Sequence, residues 1–272
     1  MSGYLERKKR LSVPDFVAMK KHGEKITMVT AYDYTMASII NGTDIDVILV
    51  GDSAANVMLG CSSTIPITLD EMIIFARSVV RGAKDKLIIC DMPFGSYHAG
   101  IADAVMNAVR IMKETGCDAL KLEGGAEIVP VIKSLVATGI PVMGHLGLTP
   151  QSVNLFGGYG LRAKGEDEAQ LLLKNASELE AAGCFGIVLE KIPALLAGKV
   201  TEKVNIPTIG IGGGNGTDGQ VLVLQDVLGM NAEFSPKFLR KYADLYSTIT
   251  EALTEYGKDV KSGVFPSEKE AY

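Results

Sequence analysis

The chain has 272 residues, 47% of them hydrophobic and 22% charged, with a formal net charge of −5. Such a composition excludes a disordered chain, and no apolar run approaches the roughly 18 residues of a membrane-spanning helix. Mild acidity argues against a nucleic-acid partner, since the one basic cluster, residues 7–10, is too short to supply a footprint.

In chain order, residues 12–22 read as a helix closing the bottom of the fold ahead of the first strand. Strand candidates follow at 26–31, 46–50, 86–91, 119–123, 140–145, 185–190, 206–211 and 220–226. Most are near-continuous apolar runs, as parallel strands buried on both faces require. The last is ambiguous, because Gln220-Val-Leu-Val-Leu-Gln225 can also begin a helix. Between the strands, Thr68-Leu-Asp-Glu71 is a capping box ahead of the apolar-periodic run 72–80. Helical patterns at 102–115, 128–138 and 167–182 stop at Gly116, Gly139 and Gly183, where glycine can take the left-handed conformation that closes a helix. Ser235-Pro236 reads as an N-cap with proline at the first helical position, opening a helix to about residue 256. Beyond 257 the chain reads as a polar tail.

Eight strands alternating with helices over this length fit an α/β fold, a (β/α)8 TIM barrel, as a single domain over 1–272. A doubly wound sheet is the competing architecture. Loop lengths favour the barrel. Helix-to-strand connections (115–118, 138–141, 182–185) are short, whereas 51–67 and 146–166, both after strands, are long. Long loops gathered at the C-terminal ends of strands mark a barrel's active-site rim. Ionisable residues gather there too: Asp33, Asp52, Asp91, Lys121 with Glu123, His145 and Glu190 end or follow six of the eight strands.

Asp52, Asp91 and Glu123 come from three consecutive strands, and without a counter-ion they would repel and hold protons. Either Mg2+, bound by one or two carboxylates plus water and substrate oxygens, resolves that repulsion, or Lys121 or nearby arginines neutralise it. Lys121 and Glu123, two apart on a strand, leave the same face, which permits a salt bridge or joint contact with one bound anion. Glu190 stands across the barrel from strands two and three. Partial burial would raise its pKa towards a general base's range; the alternative is an ion pair with Lys191. His145 is either a donor to a substrate oxygen or a packed core histidine. Ser53 either hydrogen-bonds a carboxylate or caps its turn. The glycines at 210–214 let a ligand approach the backbone or form an anion nest. Gly214-Asn-Gly-Thr-Asp-Gly219 matches GxGxxG without the strand–turn–helix context that the dinucleotide motif needs. Cys61, Cys90, Cys117 and Cys184 have no metal-ligand spacing, and the first residues lack the apolar core of a secretory signal. Both features lead us to expect free thiols in the cytoplasm.

Several of these residues sit in longer motifs: Val29-Thr-Ala-Tyr-Asp-Tyr-Thr35, Val50-Gly-Asp-Ser-Ala54, Asp91-Met-Pro-Phe-Gly95 and Lys121-Leu-Glu-Gly124. Gly144-His-Leu-Gly-Leu-Thr-Pro-Gln-Ser152, Ile187-Val-Leu-Glu190 and Ile209-Gly-Ile-Gly212 with Asp218-Gly-Gln-Val-Leu222 follow. In this order they resemble the ketopantoate hydroxymethyltransferases over about residues 26–229. The resemblance implies a barrel enzyme of pantothenate biosynthesis that transfers a one-carbon unit from 5,10-methylenetetrahydrofolate to 3-methyl-2-oxobutanoate. It implies Mg2+ at Asp52 and Asp91 with Glu123 in the metal's shell. It also implies oxo-acid contacts from Asp52, Ser53, Asp91 and Lys121, Glu190 as proton acceptor, and a homo-oligomer, commonly a decamer. Lys191, Gln225 and the loop 156–162 depart from the commonest family pattern. Two rivals remain at this stage: a Schiff-base aldolase with Lys121 as nucleophile, and a barrel that binds a 2-oxo acid without catalysis.

Overall fold

The computed structural model describes residues 10–272, so of the basic cluster at 7–10 only Arg10 falls within it. Eight strands form: β1 (Ile26–Thr30), β2 (Val47–Val50), β3 (Leu87–Asp91), β4 (Ala119–Glu123), β5 (Val142–Gly147), β6 (Gly186–Glu190), β7 (Thr208–Ile211) and β8 (Gly219–Leu222). Each pairs in parallel with the next, and β8 pairs with β1, closing the expected TIM barrel. Helices α1 (Val13–His22), α2 (Tyr34–Asn41), α3 (Ala54–Val57), α4 (Leu69–Gly82), α5 (Ile101–Thr115) and α6 (Val129–Ala137) interleave with the first strands. They are followed by α7 (Val153–Phe156), α8 (Glu166–Ala181) and α9 (Ala194–Lys203), while 212–218 join β7 to β8 without a helix.

The interior follows from the two-residue period of strands. Leu87 and Ile89 of β3, Ala119 of β4, Met143 of β5 and Val188 of β6 share one apolar cluster with Met28, Leu49, Ile209 and Val221. Phe16 of α1 closes the cluster, its ring edge-on to Phe185 at 5.4 Å. Ser12 and Asp15 form a capping box that starts this helix, as expected for the barrel's bottom plug. Continuing each strand by two residues replaces the apolar layer with a charged one: Asp91, Lys121 and Glu123, His145, and Glu190. Register places them side by side, with Asp91 opposite Lys121, Glu123 opposite His145, and Gly147 opposite Glu190.

The chain forms two compact units, one ending at Val223 and one spanning Leu224–Tyr272. The strand expected over 220–226 stops at Leu222, and Leu224–Val227 becomes a short helix, α10. The helix expected from Ser235 begins instead at Leu245: α11 runs Leu245–Ser262, with Asp244 as N-cap. The reason lies in the backbone. N–H groups of Tyr242, Leu245 and Tyr246 donate to carbonyls of Val227, Leu228 and Gly229, so this segment is tied down in a non-helical path until Asp244. Pro236 opens only a single turn, closed by Leu239 N–H on its carbonyl. The polar stretch beyond 257 continues α11 to Ser262, where Gly263 closes it at φ 73°.

Candidate active site

Lys121 is the hub of the charged layer. Its Nζ lies 3.1 Å from Asp91 Oδ1, 3.2 Å from His145 Nδ1 and 3.7 Å from Glu123 Oε1. His145 in turn bridges two acids, with Nδ1 3.1 Å from Glu123 Oε1 and Nε2 3.3 Å from Glu190 Oε2. Asp52, on the turn after β2, donates its backbone N–H to Asp91 Oδ2 at 3.0 Å. Every side chain of this set is buried except that of Glu190, which is 16% exposed.

The electrostatics follow from burial and crowding. Burial, then the charges of Glu123 and Asp91, push Asp52 well above its ordinary pKa. Burial also raises Asp91 against the opposing pull of Lys121. Burial works against the charge of Lys121, but Asp91, Glu123 and Asp52 outweigh it and hold the amine above its usual value. Burial and Lys121 oppose protonation of His145; the charge and hydrogen bond of Glu123 and the neighbouring Glu190 carboxylate prevail and raise it to about 9. Glu123 is lowered despite burial, because His145, Lys121 and the Gln151 N–H favour its charged form.

Three residues that sequence reasoning did not single out complete the framework. Gln151, in the 3-10 turn Pro150–Ser152, donates Nε2–H to Asp52 Oδ2 at 2.8 Å and to the Met92 carbonyl at 3.0 Å. Its backbone N–H reaches Glu123 Oε2 at 3.0 Å. Tyr97 donates its hydroxyl proton to Gln151 Oε1 at 2.7 Å. Tyr32, fully buried, pairs its hydroxyl with Ser53 Oγ at 2.8 Å. Ser53 makes no cap hydrogen bond to α3, and its hydroxyl pairs with Tyr32 rather than with a carboxylate, so neither role expected for it is seen.

Part of the glycine-rich turn after β7 has a packing explanation. A Cβ on Gly214 would lie 2.5 Å from Ala194 Cβ of α9, whereas one on Gly213 would make only ordinary contact, 3.5 Å from Ala197 Cβ. A groove of about 570 Å³ lies away from the charged layer, lined by Asp15, Asp44, Asp46 and Asp85 among others. The chemistry of the strand ends is not there.

Four buried or half-buried carboxylates face two cationic groups, a hard-oxygen set short of positive charge. Among the described residues no group of three or more His, Cys, Asp or Glu side chains is placed to hold a metal ion by itself. The excess of carboxylate charge is what suits a cation that takes one or two carboxylates and completes its shell with ligand oxygens and water, as Mg2+ does. Asp91 Oδ1 accepts no aligned hydrogen bond, whereas both oxygens of Glu123 are already engaged.

Residues 10–268 match the family model described as ketopantoate hydroxymethyltransferase. A protein of Bacteroides fragilis named 3-methyl-2-oxobutanoate hydroxymethyltransferase is 56% identical over 273 residues, covering 100% of both chains. One of the same name from Flavobacterium johnsoniae is 57% identical over 264 residues and 97% of each. Among solved structures, phosphonopyruvate hydrolase in complex with oxalate and Mg2+ superposes with a TM-score of 0.61 at 10% identity. That match covers 96% of this chain and 93% of the other, and at this identity it shows the fold alone.

Proposed function

The chain belongs to the ketopantoate hydroxymethyltransferase family, and from that premise we propose that it transfers a hydroxymethyl group from 5,10-methylenetetrahydrofolate to 3-methyl-2-oxobutanoate by Mg2+-assisted enolisation. Asp52 and Asp91 would hold the metal, with Glu123 acting on its shell through water because its own oxygens are committed. Bound there, Mg2+ supplies Lewis-acid stabilisation of the negative charge that develops on the 2-oxo oxygen.

The remaining work falls to the chain's own groups. Lys121 offsets the substrate carboxylate, and Ser53, oriented by Tyr32, offers a hydroxyl beside it. Glu190 takes the proton from carbon three. The observation that carries this role is its placement: it is the one acid of the layer with an open face, and His145 Nε2 sits 3.3 Å from one of its oxygens. His145, anchored through Nδ1 on Glu123, offers its Nε2 to the substrate's oxygen side beside that carboxylate. The enolate then attacks the methylene carbon of the folate as one of its two C–N bonds opens, and water cleaves the other, leaving the hydroxyl on the product and the N–H on tetrahydrofolate. The Schiff-base rival loses support, since a nucleophilic amine needs a depressed pKa and the three acids hold Lys121 protonated.

The same reading places the protein in the cytoplasm, supported by its four free cysteines. No helix among the described residues is long and apolar enough to cross a membrane. It also includes a homo-oligomer, a decamer by family resemblance. Hydrogen–deuterium exchange at carbon three of 3-methyl-2-oxobutanoate, with Mg2+ and no folate, tests the enolisation step alone. Glu190→Gln is expected to slow it by about 10²–10⁴-fold with substrate binding retained. Unchanged exchange would remove Glu190 from the base role.

A further inference from the structure

One aromatic side chain is laid across the opening above the charged layer. Tyr159 follows Gly157 and Gly158 and precedes Gly160 in the loop after β5. Its carbonyl oxygen accepts from Nζ of Lys191, the residue after Glu190 at the end of β6. Lys191 sits at φ 45°, unusual for a side chain of its size, and its own carbonyl accepts the Arg162 N–H at 2.9 Å. The Tyr159 hydroxyl comes within 3.5 Å of the Ser62 carbonyl, in the loop that follows β2. β2 and β6 are four strands apart in a closed ring of eight, so they face each other across the barrel. A ring anchored beside one and reaching the loop of the other spans the mouth. It is nevertheless 44% exposed, so it is no core residue. Partial burial raises its hydroxyl pKa, and the charges of Asp52 and Glu190 add to this, which places it within electrostatic reach of both acids.

We propose that Tyr159 is the aromatic platform on which the flat reduced-pterin end of the one-carbon donor stacks, a second subsite above the oxo-acid pocket. The proposal rests on the hydroxymethyltransferase reading. The oxo acid is small and its partners are buried, so the donor must arrive from the solvent side and bring its methylene carbon down onto the enolate. A planar heterocycle entering by that route meets this ring. Lys191 is then a positioning residue, holding the loop that presents the platform.

Equilibrium dialysis with tetrahydrofolate, on the full chain and on Y159F and Y159A, tests this. Y159F is expected to bind within about twofold of the unmutated chain and Y159A roughly tenfold or more weakly, the usual cost of losing one stacking partner. Affinity for 3-methyl-2-oxobutanoate, measured with Mg2+ on the same preparations, should move far less. Equal tetrahydrofolate binding by Y159A and the unmutated chain overturns the platform. So does equal loss in Y159F and Y159A, which assigns the effect to the hydroxyl, and so does parallel loss of both ligands, which assigns it to general order of the mouth. If the unmutated chain makes ketopantoate while Y159A keeps its KM for methylenetetrahydrofolate, the subsite falls and the function stands. If the unmutated chain makes no product and binds no tetrahydrofolate, the function reading falls and the subsite with it. If it binds tetrahydrofolate without turnover, the Y159F and Y159A comparison still decides the subsite.

Discussion

Gln151 is a neutral residue among charged ones, and its amide can point only one way. Two acceptors, Asp52 Oδ2 and the Met92 carbonyl, face its nitrogen, and the Tyr97 hydroxyl donates to its oxygen. Replacing it with methionine keeps the volume but strands those buried partners, so Gln151→Met is expected to cost about 1–3 kcal/mol in urea unfolding. A loss near zero would mean that the clamp contributes no stability. The acids and Lys121 were legible in the sequence because charge at the end of an apolar strand is conspicuous. The roles of Gln151, Tyr97 and Tyr32 were not. Neutral hydrogen-bonding side chains leave no periodic signature, and their partners lie tens of residues away: 99 positions separate Gln151 from Asp52.

At the scale of elements, local chemistry decided some boundaries and not others. The capping box at α4 forms as its four-residue pattern requires, with Thr68 accepting from the Glu71 N–H and Glu71 accepting from that of Thr68. Thr68→Ala should therefore destabilise the chain by about 1 kcal/mol in urea unfolding. The pH dependence has a defined sign. Hydrogen bonds from the Thr68 N–H and hydroxyl lower the Glu71 pKa below its ordinary 4.5. A depressed folded-state pKa gives stability that is present above that ordinary value and lost as pH falls through the folded one. The difference between the unmutated chain and Glu71→Gln should accordingly shrink below pH 4.5; a difference that persists in acid would contradict the cap's charge. Ser235-Pro236 carried an equally good local signal but opened only one turn. The competing backbone hydrogen bonds to Val227, Leu228 and Gly229 outweigh a nucleus that is costly to extend.

At the scale of the molecule, α11 leaves Tyr246, Ile249, Leu253, Tyr256 and Val260 exposed at alternating spacings of three and four, and none of its residues is buried. Such a stripe in water fits the proposed homo-oligomer. Replacing Leu253 and Tyr256 together with aspartate should lower the mass measured by sedimentation, and an unchanged mass would clear the stripe of a role in assembly.

The barrel itself, the placing of Asp91, Lys121, Glu123, His145 and Glu190 at strand ends, and the family were all legible in the sequence alone. They rest on patterns written along the chain: apolar runs alternating with helices, loop lengths, and motifs in a fixed order. Only the tertiary structure decided that Lys121 touches three acidic or imidazole partners at once, that Ser53 answers to Tyr32, that Gly214 serves close packing on α9, and that Tyr159 crosses the mouth. Those facts depend on which chain-distant groups barrel closure brings within a few ångströms, and in a buried, low-dielectric interior that proximity sets charge state and orientation.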